Sequence, residues 1–240
     1  MKVLIVAGGL SSRLWPLAVS VPKVLLPING QPLLHRIFRF CEKAYLSEFI
    51  ICTTRDLVPQ FKDAISSYMS QTSTIKFCTS PKDYNTAGRI LAAKDLVGDD
   101  PKFVVYYGDI LARLFLFDMV NNHTRTGAVC TVAVAPKQLE YGVVETKSEM
   151  IGSDIVNRVT NFIEKPMLSK ISTVKANVGI AVCSPEIFSY CKPQDSFFGV
   201  TVPSLLKAKK HVYAYDSEGY IDVGNFQNYN SAQRDFKLFT

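Results

Sequence analysis

The first thirty residues of this 240-residue sequence bring together side chains that suit the binding of phosphate groups. The apolar run at residues 2–7 predicts a buried strand, and it stops at the pair Gly8-Gly9. Exposed backbone N–H groups, hydroxyls, the guanidinium of Arg13 and the ammonium of Lys23 are donors that hold polyphosphates. The candidate polyphosphate-binding residues of this stretch are Ala7, Gly8, Gly9, Ser11, Ser12 and Arg13.

A second chemical feature is the pair Gly108-Asp109, which follows the apolar and β-branched run at residues 103–107. The run predicts a strand, so Asp109 stands at its carboxyl end. A glycine there lets a ligand approach the backbone closely, and a carboxylate at this position is placed to hold a hard cation.

Two common phosphate-binding loops do not match the N-terminal stretch. A dinucleotide-binding loop needs a third glycine and a helix directly after it, whereas Pro16 interrupts any helix start here. A Walker loop ends in Gly-Lys-Ser/Thr, which the stretch lacks. The sequence therefore argues against a Rossmann dehydrogenase and a P-loop NTPase.

The elements around these residues alternate between strand and helix. Apolar spacing predicts helices over 31–46, 56–70, 83–96, 114–125 and 199–208, and strands over 49–53, 75–79, 103–107, 128–135, 141–145, 156–163, 177–183 and 212–215. Asn85 or Thr86 is expected to cap the helix over 83–96, and Ser184-Pro185-Glu186 to start another. This alternation predicts an α/β fold with a doubly wound, mostly parallel (mixed) sheet of Rossmann-like type, in which ligands bind at the carboxyl ends of the strands.

The composition is that of an ordinary globular protein, with 48% hydrophobic and 20% charged residues and a net charge of +6. Basic residues are spread along the chain, which argues against a nucleic-acid partner. The apolar runs have the length of strands, so we expect no membrane segment and a cytoplasmic location. Six scattered cysteines are expected to be reduced and mostly buried. We expect residues 1–240 to form one domain.

The motifs together resemble the sugar-1-phosphate nucleotidyltransferases, also called nucleotide-sugar pyrophosphorylases. That family carries Gly-Gly-Xaa-Gly-Thr-Arg-Leu-Xaa-Pro-Leu near the N-terminus, followed by Pro-Lys and Gly-Xaa-Pro. Matching residues, in order, are Gly8, Gly9, Arg13, Leu14, Pro16, Leu17, Pro22, Lys23, Pro27, Gly30 and Pro32. Later segments match Thr-Ala-Gly at 86–88, Tyr-Gly-Val-Val at 141–144, Glu-Lys-Pro at 164–166, Asn-Xaa-Gly at 177–179 and Asp-Val-Gly at 222–224. Ser11, Asn85 and Asn225 depart from the family pattern, and asparagine at 85 tolerates the left-handed backbone of the usual glycine.

The resemblance implies a reaction and a role for each matching residue. A sugar-1-phosphate would attack the α-phosphorus of a nucleoside triphosphate, with Mg²⁺ as the cofactor and pyrophosphate leaving. Asp109 and Asp222 would bind Mg²⁺, Arg13 the β- and γ-phosphates, and Lys23 the phosphates near the reacting centre. The base and ribose would meet Asn85, Thr86, Ala87 and Gly108, and the sugar phosphate would meet Gly142, Glu164, Lys165 and Asn177.

The resemblance indicates the substrates less sharply than the reaction. The Asn-Thr-Ala-Gly segment is most similar to mannose-1-phosphate guanylyltransferases, which favours GTP and mannose-1-phosphate as partners. Uridylyl or thymidylyl transfer to glucose-1-phosphate, cytidylyl transfer to another phosphate, and a non-catalytic regulatory homologue remain as alternatives. A homo-oligomer also remains open. The sequence shows no hexapeptide repeats, so no C-terminal β-helix domain is expected.

Overall fold

A seven-stranded mixed sheet is the central feature of the computed structural model, which describes residues 1–8, 14, 21–68, 73–136, 143–151, 154–163 and 175–239. The strands of these residues are β1 (Lys2–Val6), β2 (Pro27–Ile28), β3 (Gln31–Pro32), β4 (Glu48–Thr53), β5 (Thr74–Thr79), β6 (Phe103–Tyr107), β7 (Ile110–Arg113), β8 (Cys130–Ala135), β9 (Val143–Ile151), β10 (Asp154–Ile163), β11 (Ala176–Cys183), β12 (Val212–Asp216) and β13 (Gly219–Asp222). The predicted mixed α/β fold is therefore confirmed.

The strand order of the central sheet is β12-β8-β11-β6-β1-β4-β5. All neighbours pair in parallel except β11, which runs antiparallel to both β6 and β8. From β1 the chain moves outward through β4 to β5 and then returns to β6 on the other side of β1. The direction of winding reverses between β1 and β6, and such a switch point opens a crevice at the carboxyl ends of the two strands.

The helices of the described residues are α1 (Leu33–Glu42), α2 (Val58–Ser66), α3 (Thr86–Ala92), α4 (Lys94–Val97), α5 (Leu116–Thr126), α6 (Val202–Lys207) and α7 (Phe226–Asp235). Two apolar layers cover the two faces of the sheet. Alternate residues of β1 face opposite layers, since Val3 and Ile5 pack with α1 and α5, while Leu4 packs with α3 and α6. No helix in the part of the chain that the structure describes is long and apolar enough to cross a membrane.

Three predicted helices differ in detail from the structure. The segment 83–96 contains two short helices, α3 and α4, because the chain leaves helical geometry at Ala93. The helix begun by Ser184 is a 3-10 helix, Pro185–Tyr190, and the helix over 199–208 begins as a π-helical turn, Phe197–Thr201, before α6. Turns of the 3-10 and π type close with different hydrogen bonds at similar apolar spacing, which periodicity alone does not distinguish.

Strands outside the central sheet form further antiparallel pairs, and one of them lies near the switch point. Strand β13 pairs antiparallel with β7, and β9 pairs antiparallel with β10 in a separate two-stranded sheet. Because β7 begins only three residues after β6 ends, the β7–β13 pair lies beside the carboxyl end of β6. The pair brings the chain near residue 222 to the residues that follow β6.

Candidate active site

The carboxyl ends of β1 and β6 meet at the switch point. The Gly108 amide donates to the Val6 carbonyl at 3.1 Å, and the Ala7 amide donates to the Cys52 carbonyl at 2.9 Å. A Cβ at Gly108 would lie 3.1 Å from the Val6 oxygen and 3.2 Å from Cγ2 of Val24, so the glycine allows the two strand ends to approach closely. Two predicted site segments, at 7–8 and 108–109, are thus neighbours.

Asp109, directly after Gly108, forms an ion pair with Lys23. Lys23 Nζ lies 3.0 Å from Asp109 Oδ2, and the two side chains are only 16% and 26% exposed. The pair joins residues 86 positions apart in sequence. A predicted phosphate ligand and a predicted metal ligand therefore neutralise each other in this structure.

Asp222 stands on the strand beside Asp109. It is paired with Ile110 in the β7–β13 ladder, and the Val223 amide donates to the Asp109 carbonyl at 2.7 Å. A Cβ at Gly224 would lie 2.7 Å from Asp222 Oδ1, so glycine lets the carboxylate keep this position. The two acidic residues predicted from distant motifs share one edge of the fold.

The residue after Gly224 fixes the local turn. Asn225 is the N-cap of α7, with its Oδ1 accepting from the Asn228 amide at 2.8 Å. Asn228 Nδ2 in turn donates to the Asp222 carbonyl at 2.7 Å. The departure from the family pattern at Asn225 thus has a structural role, since it begins the helix that holds Asp222.

Two cavities open on either side of this edge. The smaller, about 230 Å³, is lined by Ala7, Lys23, Asn85, Thr86 and Gly108 among others, and the larger, about 930 Å³, is lined by Asn177, Gly179, Tyr220 and Asp222 among others. Tyr107 and Asp109 line both cavities. Two ligands bound in the two cavities would therefore meet at Asp109.

The loop before α3 forms one wall of the smaller cavity. Asn85 is the N-cap of α3, as predicted, but its φ of −83° is not left-handed, so the tolerance of asparagine for that backbone is not used. The amides of Asn85 and Ala87 donate to the carbonyls of Pro193 and Asp195, at 2.8 and 3.0 Å. Ala87 is fully buried and does not line the cavity, whereas Asn85 and Thr86 do.

Segment 193–197 sets the shape of that loop. The Phe197 amide donates to Thr86 Oγ1 at 2.8 Å, and a Cβ at Gly88 would lie 2.3 Å from the Pro193 carbonyl oxygen. Gly88 therefore serves close backbone packing. The glycine of the Thr-Ala-Gly match is explained by this contact.

Asn177 reaches the larger cavity through a bulge in β11. The register with β8 shifts between Asn177 and Ala181, and Gly179 has a φ of +92° that favours glycine. The Gly179 amide donates to Asn177 Oδ1 at 2.9 Å. The Asn-Xaa-Gly motif is thus a local device that turns a polar side chain toward the cavity.

Two residues at the smaller cavity were not identified from the sequence. Tyr107 separates the two cavities, and burial raises the pKa of its hydroxyl to about 12, so the phenol stays protonated. Arg89 is only 5% exposed and lines the smaller cavity. The position of each gave a signal, because Tyr107 precedes Gly108-Asp109 and Arg89 follows Thr-Ala-Gly.

Other predicted site residues lie outside the described residues: Gly9, Ser11, Ser12, Arg13, Gly142, Glu164 and Lys165. Gly8 is described and packs against the Arg89 side chain, since a Cβ there would lie 2.6 Å from Cζ.

In the described ranges, no group of three or more His, Cys, Asp or Glu side chains could hold a metal ion. The six cysteines are all buried, as expected.

The family model described as Nucleotidyl transferase matches residues 2–237. The chain belongs to this family. The chain is 29% identical to a probable glucose-1-phosphate cytidylyltransferase of Bacillus subtilis, over 81% of this chain and 79% of the relative. It is 30% identical to a mannose-1-phosphate guanyltransferase of Pichia angusta, over 96% of this chain and 63% of the relative, so it spans just under two thirds of that protein's length.

A solved structure confirms the fold. The structure of a UTP-bound UGPase from Acinetobacter baumannii superposes with a TM-score of 0.71 at 19% identity, covering 99% of this chain and 93% of the other. The expected enzyme class, a nucleotidyltransferase, is confirmed by the family match and by relatives that are named as transferases.

Proposed function

We propose that the chain transfers a nucleotidyl group from a nucleoside triphosphate to a sugar-1-phosphate, releasing pyrophosphate and forming a nucleotide sugar. The observation that carries the proposal is the position of Asp109 between two cavities. The smaller cavity would take the nucleotide and the larger the sugar phosphate. Their reacting groups would then meet at the shared wall.

The chain supplies what such a reaction needs. The phosphate oxygen that attacks is already ionised at neutral pH, so no general base is required. The obstacle is the approach of two anions and the charge that develops between them. Lys23 is partly buried beside the shared wall, where a cation is less screened than in water. When a nucleotide binds, we expect the Lys23 ammonium group to leave Asp109 and bind a phosphate oxygen instead.

The two carboxylates fit a divalent cation. Asp109, directly before β7, and Asp222, the last residue of β13, offer hard oxygen ligands from adjacent positions, and Gly224 keeps the space beside the Asp222 carboxylate free of a Cβ. Asp109 already attracts one cation, Lys23. We propose Mg²⁺ as the cofactor, which when bound would neutralise phosphate charge and orient the two substrates.

Residues outside the described ranges complete the proposal through the family resemblance. Arg13 would hold the β- and γ-phosphates, with Gly9, Ser11 and Ser12 around them. Lys165 would meet the phosphate of the sugar phosphate, and Glu164 and Gly142 the sugar itself. Asn177 lines the larger cavity and would bind sugar hydroxyl groups.

We propose GTP and mannose-1-phosphate as the substrates and a cytoplasmic location. Support comes from the name of the Pichia angusta relative and from the Asn-Thr-Ala-Gly segment. The Bacillus subtilis relative, named as a probable cytidylyltransferase, makes CTP and glucose-1-phosphate the main alternative.

The test is pyrophosphate release with Mg²⁺ across a grid of GTP, CTP, UTP, dTTP and ATP against mannose-1-phosphate and glucose-1-phosphate. We expect release only when both substrates are present, and highest with GTP and mannose-1-phosphate. Asp109→Asn should lower turnover at least about a hundredfold, the typical cost of losing one positioned charge. Asp63→Asn, on the exposed face of α2, is the control. No release for any pair, or full activity of Asp109→Asn, contradicts the proposal.

A further inference from the structure

Arg89 is a buried cation at the smaller cavity. Nη1 donates to Ser80 Oγ at 3.0 Å and Nη2 to the Lys82 carbonyl at 3.4 Å. A guanidinium has five N–H donors, so these contacts leave three for other acceptors. In the described part of the chain no carboxylate pairs with it, and the nearby Asp83 accepts instead from Gln194 Nε2 at 3.0 Å.

Such an arrangement is costly without a ligand. A buried charge loses hydration, and its cost is repaid only by a partner and by hydrogen bonds. Burial also lowers the pKa of Arg89 from its usual value. The residue is held in place by Ser80 and by the backbone of Gly8, which leaves no space for a Cβ beside the guanidinium. It is a pre-formed donor group that faces a cavity.

The place of Arg89 in the sheet separates it from the reacting edge. It bonds Ser80, directly after β5, and contacts Gly8, directly beyond β1. Asp109 and Lys23 lie on the other side of β1, beyond β6. The end of the nucleotide that extends toward Arg89 would be its base, because Arg89 lines the same cavity as Asn85 and Thr86, which the family resemblance assigns to the base and ribose.

We propose that Arg89 recognises the base of the nucleotide and selects bases that present two adjacent hydrogen-bond acceptors. This inference rests on the proposed function. A guanidinium fork donates two parallel hydrogen bonds. Guanine offers O6 and N7, and cytosine offers O2 and N3. Adenine, uracil and thymine present no two adjacent acceptors on any edge, so the fork can make only one bond to them.

The test measures nucleotide affinity by calorimetry, with Mg²⁺ and without sugar phosphate. We expect the wild-type protein to bind GTP or CTP about ten- to a hundredfold more tightly than UTP, dTTP and ATP, the discrimination typical of a bidentate contact to a base. Arg89→Lys keeps the charge without the fork, and Arg89→Gln removes both. Each should reduce that preference to less than about threefold. Arg113→Gln, at an exposed residue of β7, is the matched control and should keep it.

A modified nucleotide provides a second affinity measurement, which does not depend on a variant folding well. For a protein that binds GTP, 7-deaza-GTP lacks the N7 acceptor and should bind about tenfold more weakly to the wild type, but equally to Arg89→Lys. For a protein that binds only CTP, the comparison of CTP with UTP serves the same purpose. Wild-type preference for UTP, dTTP or ATP overturns the inference, as does an unchanged preference in both variants.

Two further outcomes separate this inference from the proposed function. If the variants lose affinity equally for all five nucleotides, the guanidinium binds the phosphates. That result overturns base recognition but leaves the proposed function standing. Wild-type protein that binds no nucleoside triphosphate and releases no pyrophosphate overturns the proposed function, and this inference falls with it.

Discussion

The ion pair between Lys23 and Asp109 makes Lys23→Gln the most informative substitution. In the structure the Lys23 ammonium group is paired with the Asp109 carboxylate, which we assign to the metal. Lys23 and a divalent cation would therefore compete for Asp109 when no nucleotide is bound. Removing the ammonium should strengthen metal binding to the free protein. The same change should weaken catalysis, because the phosphates lose a cation.

The geometry gives the size of both effects. At the 3.0 Å separation and an effective dielectric constant of about 20, the gross attraction is about 5.5 kcal/mol. Desolvation and screening of partly buried charges leave a net of about 1–2 kcal/mol. Metal affinity should therefore rise about five- to thirtyfold in Lys23→Gln. Turnover should fall about a hundredfold or more, as for other positioned charges in a site.

The assay pairs Mn²⁺ or Mg²⁺ titration of nucleotide-free protein with pyrophosphate release. Lys2→Gln is a matched control, because Lys2 pairs with Asp100 at 2.9 Å with side chains 19% and 23% exposed, at the opposite end of β1. We expect the control to change neither quantity. Metal affinity that stays the same or falls in Lys23→Gln refutes the competition, and turnover that stays normal refutes the phosphate role.

Two further predictions concern stability. In Gly88→Ala, a gain in helix propensity of up to about 1 kcal/mol is outweighed by a Cβ only 2.3 Å from the Pro193 carbonyl oxygen, and we expect a net loss of about 1–3 kcal/mol in urea unfolding. Gly219→Ala, with nothing within 4 Å of its Cβ, is the control, and equal stability of the two variants contradicts this reading. Burial lowers the pKa of His123 from 6.5 to about 4. Between these pH values the unfolded chain binds a proton that the folded chain excludes. The free energy of unfolding should therefore fall by up to about 3 kcal/mol as the pH drops from 6.5 to 4. His123→Gln should flatten this slope while His211→Gln, at an exposed histidine, keeps it; an unchanged slope in His123→Gln contradicts the assignment.

The sequence predicts the strands and the placement of Asp109 because those depend on local patterns. A β-branched apolar run forms a strand in almost any context, and a glycine and a carboxylate after it fall at a strand end. The side of β1 on which β6 lies is a property of the whole sheet. Alternating elements predict a doubly wound sheet without giving its strand order.

Contacts between distant segments account for what the sequence did not predict. The pairing of Lys23 with Asp109 bridges 86 positions, and the bond from Phe197 to Thr86 bridges 111. The sequence gives one signal for Arg89, its position directly after Thr-Ala-Gly, but its burial beside Ser80 and Gly8 depends on contacts that the sequence does not predict. Neither spacing nor composition carries information about such partners.

Segment 193–197 docks on the loop before α3, so two separate stretches of the chain shape the wall of the cavity that we propose for the nucleotide. The amides of Asn85 and Ala87 are bonded to the carbonyls of Pro193 and Asp195. Substitutions at Pro193 or Asp195 that shift those carbonyls would therefore move the backbone of the motif at 85–88 while its sequence stays the same. Efforts to redesign nucleotide preference should therefore vary both stretches together, treating them as one composite wall.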